Sequence, residues 1–204
     1  MNLLNPIPEE WGKYITQSPV GLEVIPDMLW DTQTYVDNTT TELTFFAAVQ
    51  AGALSNMTQP GMLPNPQSFL IECVRLYFRT QVFVDDAGAA GAFASIYSDV
   101  ALILNTSQIR LTIGAKNYGP WRPWLLSTGS YPQGVIAASG AEAANLVHDY
   151  AQIGGPLWNL RPNLMIAPLQ NFNAVWSWPN AAVNLTANIV LEVLFEGQRA
   201  RGIQ

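Results

Sequence analysis

Apolar side chains along this chain alternate with polar ones at a period of two in several stretches, which predicts strands with one buried and one wetter face. The clearest runs from Ser68 to Gln81: Phe69, Ile71 and Cys73 share one face and Leu70, Glu72 and Val74 the other. Further on, Leu76 and Phe78 oppose Arg75, Tyr77 and Arg79. Gln108 to Ile113 sets Ile109, Leu111 and Ile113 against Arg110 and Thr112. Near the end, Leu185 to Glu196 sets Ile189, Leu191, Val193 and Phe195 against Val190, Glu192, Leu194 and Glu196, and Gly197 is expected to end that strand. More strands are predicted over Glu42 to Gln50, Val100 to Leu104, Leu164 to Ala167 and Phe172 to Trp178. The βαβ rhythm of a parallel sheet is missing.

Prolines and glycines punctuate this pattern throughout. Pro6, Pro8, Pro19 and Pro26 break any long helix, so residues 1–40 are expected to form an irregular N-terminal arm, with residues 41–204 as the folded domain. Gly52 to Gln67 reads as a turn-rich loop, and Lys116 to Gly134 as a long loop carrying Trp121, Trp124 and Tyr131. Short helices are expected over Asp85 to Ser98, with Asp85 or Asp86 as N-cap, and over Ala141 to Tyr150. About eight antiparallel strands with loops of unequal length fit an all-β fold, a single jelly-roll β-sandwich. An immunoglobulin-like sandwich would have more regular spacing and usually a cysteine pair.

Composition adds a second layer. Of 204 residues, 49% are hydrophobic and only 12% charged, about half the usual charged fraction of roughly 25%. Uninterrupted apolar runs fall well short of the ~18 residues a spanning helix needs. The expectation is a water-soluble fold with an uncharged, apolar surface, and such a surface points to assembly with other subunits. The single cysteine, Cys73, excludes an intrachain disulfide framework. The first residues do not have the form of a signal peptide, so synthesis in a reducing cytoplasm is expected. The net charge of −6 is uneven: residues 1–102 hold 11 acidic and 3 basic side chains, residues 103–204 hold 4 and 6. Without a Lys/Arg cluster, strong direct nucleic-acid binding is not expected.

The order of the pieces resembles a known family. Phe45-Phe46, the run from Asn56 through Pro60-Gly61 and Pro64-Asn65-Pro66 to Ile71, and then Arg75-Leu-Tyr-Phe are similar to the opening of jelly-roll coat proteins of prokaryotic icosahedral viruses. Gln108 to Tyr118 and the ending Val190 to Gly197 resemble the same proteins. The resemblance covers roughly residues 42–200 and implies a virion shell protein in which the sandwich builds capsomers while loops and arm make contacts. It implies other copies and other virion proteins as partners, and the virion as location after synthesis in the host cytoplasm. The arm departs from coat proteins with a basic arm, since it carries Lys13 against Glu9, Glu10, Glu23, Asp27 and Asp31. That favours a shell whose interior is lined by other proteins or by lipid, or a layer outside the main shell.

Catalytic chemistry finds little support in the residues. His148-Asp149 is the one His–carboxylate neighbour pair, and adjacent residues point in different directions. Cys73 in mid-strand has the position of a small buried hydrophobe. Asp85-Asp86 fits an N-cap as well as a cation ligand. Gly88-Ala-Ala-Gly91 and Gly154-Gly155 lack the spacing and following lysine of phosphate loops. The four Asn-x-Ser/Thr sequons, at Asn38, Asn56, Asn105 and Asn184, read as turn chemistry. The expectation is therefore a non-enzyme without cofactor or metal.

Aromatic residues carry the rest. As interface anchors we expect Trp11, Tyr14 and Trp30 from the arm, and Trp121, Arg122 and Trp124 from the long loop. The alternative from another class is a carbohydrate-binding sandwich for host attachment or capsid decoration, with Trp121, Trp124, Trp176 and Trp178 as the sugar platform. Tyr118 and Tyr131 accompany that loop. The charge asymmetry adds that acidic arms meet the basic half of neighbouring subunits, with salt-sensitive assembly as the consequence.

Overall fold

The computed structural model describes residues 22–79, 99–126, 159–186 and 188–202. Eight strands follow one another: β1 (Leu22–Tyr35), β2 (Glu42–Phe45), β3 (Ser68–Arg79), β4 (Gln108–Ile113), β5 (Lys116–Trp121), β6 (Asn159–Ile166), β7 (Phe172–Ser177) and β8 (Ile189–Gly202). Residues 99–106 are helical (α1), and Pro123–Leu126 form a one-turn helix, α2. β1 pairs with β8, β2 with β7, β3 with β6 and β4 with β5, all antiparallel. This is the pairing of one long hairpin folded at the β4–β5 turn. Additional pairing of β3 with β8 and of β4 with β7 turns the hairpin into two four-stranded sheets, β1-β8-β3-β6 and β2-β7-β4-β5. A paired ribbon wrapped into two facing sheets in this order is the jelly roll.

The period-two pattern decides what lies between the sheets. Ile189, Leu191, Val193 and Phe195 of β8 face Ile109, Leu111 and Ile113 of β4 and Phe172, Ala174 and Trp176 of β7 in one core. Aromatic rings fill its middle: Phe46 stacks on Phe195 at 4.6 Å, Tyr35 meets Trp178 edge-on at 4.5 Å, and Trp176 lies parallel to Trp178 at 6.0 Å. Trp176 and Tyr35 are tied in through their polar atoms, while the buried Trp178 Nε1 has no acceptor among the described residues. Trp176 Nε1 donates to Ser107 Oγ at 2.7 Å, and the Tyr35 hydroxyl donates to the Val183 carbonyl at 3.1 Å. Side chains from both sheets meet throughout this interior.

Several strand boundaries differ from the sequence expectation, each for a physical reason. The expected irregular arm of residues 1–40 contains β1, whose residues 22–35 are paired with β8 from Leu22↔Gly202 to Tyr35↔Ile189. Pro26 does not break it, because β1 is an edge strand and a proline there can turn its missing N–H away from the ladder. The same holds for Pro162, which lies inside the edge strand β6, so that strand starts at Asn159 and not at Leu164. Pro120 likewise sits in the edge strand β5, which occupies the first part of the expected Lys116 to Gly134 loop.

The strand expected over Glu42 to Gln50 stops at Phe45 because Phe46 turns to a left-handed φ of 67°. The expected strand Val100 to Leu104 is helical: Val100, Ile103, Leu104 and Ser107 are buried while Leu102 is exposed, which is helical spacing. Short apolar runs of this kind satisfy either period until a partner selects one. β3 contains a bulge between Ile71 and Cys73, so Phe69 and Ile71 are followed into the core by Val74 and Leu76. Cys73 therefore does not share a face with Phe69 and Ile71. Opposite the bulge, Gly197 does not end β8, which continues to Gly202. A Cβ on Gly197 would lie 1.8 Å from the Leu70 carbonyl oxygen, so the glycine serves close backbone approach. The helices expected over Asp85 to Ser98 and Ala141 to Tyr150 lie outside the described residues.

Candidate functional site

The expected candidates separate into three groups. Trp11, Tyr14, Tyr131, His148-Asp149, Asp85-Asp86 and both glycine segments lie outside the described residues. Cys73 is placed and buried on the outer side of β3, opposite Glu196 in register. Burial pushes its thiol pKa up, with the Arg75 guanidinium opposing that rise and Glu196 reinforcing it. A thiol held neutral behind other side chains is a poor nucleophile. Among the described residues there is no group of three or more His, Cys, Asp or Glu side chains able to hold a metal ion.

The tryptophans form the third group, and here the sugar-platform expectation needs correction. Trp176 and Trp178 do stack on each other, but on the inner side of the sandwich, 0% and 2% exposed. The two indoles share a face of the chain, and that face is the buried one: Trp176 lies in register with Ile109 of β4 and Leu43 of β2. Trp121 is half-buried and packs against the same core. Trp30 is half-buried on β1 opposite Leu194. Of the expected anchors that the structure describes, Arg122 and Trp124 are open to solvent, Trp124 at 54%.

Around these two lies a surface that the tryptophan pattern alone did not mark. Arg122 reaches the Asn105 carbonyl at the end of α1 with Nη1 at 3.5 Å, joining α1 to the start of α2. Leu102, one turn earlier on α1, and Leu125, beside Trp124 on α2, are exposed at 41% and 43%. Helical spacing over residues 99–106 would have placed Leu102 outward, had the run been read with that period. Met28, Val36, Val49 and Leu54 are also exposed. They belong to β1, to the turns on either side of β2, and to the segment that runs along the free edge of β1.

That segment closes the edge by named hydrogen bonds. Asn56 accepts from the Trp30 N–H at 3.0 Å through Oδ1, and its Nδ2 donates to the Met28 carbonyl at 2.7 Å. Ser55 Oγ donates to the Trp30 carbonyl at 3.2 Å, and Gln50 Nε2 to the Thr32 carbonyl at 2.9 Å. Buried Asp31 anchors the start of the loop: its carboxylate accepts from the Phe46 N–H at 2.5 Å and from Gln50 Nε2 at 2.6 Å. The outer edge of β1 from Met28 to Thr32 is thereby unavailable to another strand.

The outer faces of the two sheets differ. On the first, Arg75 and Glu196 form an ion pair at 2.6 Å, Gln198 Nε2 donates to Glu72 at 2.7 Å, and Thr32 Oγ1 donates to buried Glu192 at 3.3 Å. The second presents short polar side chains: Gln108, Thr112, Asn173 and Ser177 flank Arg110 and Val175 in register. An open depression of about 320 Å³ lies at one end of that face, between Ala47, Gly61, Thr112, Gly114, Asn171, Phe172 and Asn173. No exposed aromatic ring lines it, since Phe172 is buried in the core.

No protein-family model, no curated protein and no solved structure matches this chain. No helix among the described residues is long and apolar enough to cross a membrane.

Proposed function

We propose that this chain is a virion structural protein, a single jelly roll that associates with its own copies and with other virion proteins into an icosahedral shell. The observation that carries the reading is the exposure of large apolar side chains on a low-charge sandwich whose interior is already filled. Met28, Val36, Val49, Leu54, Leu102, Trp124, Leu125 and Leu169 are all at least 41% exposed. A chain with 12% charged residues has little charged surface to offset them, and their removal from water requires a partner. The jelly-roll strand order and the sequence resemblance to coat proteins of prokaryotic icosahedral viruses support a shell as that partner. The carbohydrate-binding reading loses two of its four indoles to the core.

The test is the state of the purified full chain, by light scattering after size exclusion and by negative-stain imaging over a range of concentrations. Discrete oligomers or closed particles are expected. A chain that stays monomeric at high concentration and low salt overturns the proposal.

A further inference from the structure

We infer that copies of this chain associate side by side in a head-to-tail manner, the β1–β2 flank of one copy against the β5–α1–α2 flank of the next. This rests on the shell-subunit reading and specifies its contact. The sheet orders define the flanks. β1 and β2 edge their sheets on one side and contact each other, so β6 and β5 edge the two sheets on the opposite side.

The two flanks carry opposite unneutralised charge. Arg75, Arg199 and Arg201 of the first sheet are paired within the chain, with Glu196, Asp27 and Glu23. Lys116 on β5 and Arg122 before α2 are exposed and have no carboxylate partner among the described residues. On the other flank, Glu42 at the start of β2 is exposed and has no cationic partner among the described residues. Each flank also offers apolar side chains: Val36 in the β1–β2 turn with Val49 and Leu54 in the segment along β1, and, next to Arg122, Trp124 and Leu125 of α2 with Leu102 of α1, while Lys116 stands at the other end of β5. Opposite charges set in apolar surroundings steer and register an association, while the apolar groups supply its driving force.

Strand addition is not the mode of contact. The free edge of β1 is covered from Met28 to Thr32 by Gln50, Ser55 and Asn56, Pro26 interrupts its first half, and β2 is only four residues long. β5 and β6 carry Pro120 and Pro162. Side-chain contact between flanks remains. Because the two flanks are unlike, the contact is heterologous, and repetition around an axis generates rings, as capsomers require.

The experiment measures self-association of the full chain by sedimentation velocity at low and high salt, for the wild type and four variants. Lys116→Glu with Arg122→Glu reverses one flank, Glu42→Arg reverses the other, and a third variant combines all three changes. Trp124→Ala removes the exposed anchor without touching the core. Each single-flank reversal and Trp124→Ala are expected to weaken association at low salt about tenfold or more. The combined swap is expected to restore it, because acid again faces base. An assembling wild type whose association is unmoved by the single-flank reversals, or whose loss is not recovered in the combined swap, overturns this contact while leaving the shell reading in place. A wild type that never associates removes both.

Discussion

Asp31 shows how one side chain sets the course of a loop. It is fully buried, yet its two oxygens are occupied by the Phe46 N–H and the Gln50 amide, and Phe46 holds a left-handed backbone at φ 67°. A carboxylate accepting from that N–H stabilises a conformation that a bulky residue rarely adopts. Asp31→Ala is expected to lower stability by about 1–3 kcal/mol, since the buried Phe46 N–H loses its acceptor while the Gln50 amide keeps the Thr32 carbonyl, measured by urea unfolding. Cys73 gives a pH signature. Folding raises its pKa, first through burial, so the native state keeps the proton at a pH where the unfolded chain has lost it. Its contribution is therefore complete below the ordinary thiol range, and declines as pH rises through that range towards the raised native value. Wild-type stability is expected to fall more steeply than that of Cys73→Ala above about pH 8.5. Parallel slopes in denaturation series at several pH values would count against it.

At the scale of elements, prolines and one glycine explain most of the differences between pattern and structure. Pro26, Pro120 and Pro162 all lie in edge strands, where the sheet tolerates a residue without an N–H. Pro26→Ala is thus expected to change stability by less than about 1 kcal/mol. Gly197→Ala is expected to cost on the order of 3 kcal/mol or more, or to prevent folding, because the new methyl group collides with the Leu70 carbonyl at the β3 bulge. Thermal melts of the two variants side by side distinguish an edge position from a central one. Both substitutions involve residues usually read as breakers, and their predicted effects differ because β8 is interior to its sheet and β1 is not.

For the whole molecule, the edges that do not accept strands and the flanks that carry unlike charge work together. Closing the edges prevents open-ended sheet growth, and leaves side-chain contacts to determine which surfaces meet. Self-association is expected to weaken as salt rises, because exposed Lys116, Arg122 and Glu42 are screened. A light-scattering titration with salt checks this; association that strengthens with salt would assign the contact to apolar burial alone. The acidic half of the sequence contains the expected arm of residues 1–40, and residues 22–35 of that arm form β1, so Glu23, Asp27 and Asp31 belong to the sandwich.

The sequence by itself determined the all-β class, the alternating faces of β4 and β8, and the low charge content, because period-two alternation and composition are local quantities. It located Arg122 and Trp124 in the segment that the fold exposes. Only the tertiary structure decided which strands are edges, and hence that Pro26 belongs to β1 and that Trp176 and Trp178 face a second sheet instead of a ligand. It also decided that residues 99–106 coil, since the core accepts Val100, Ile103 and Leu104 from one side. These outcomes depend on partners far away in the chain, as the pairing of β1 with β8 illustrates, and local pattern carries no information about distant partners.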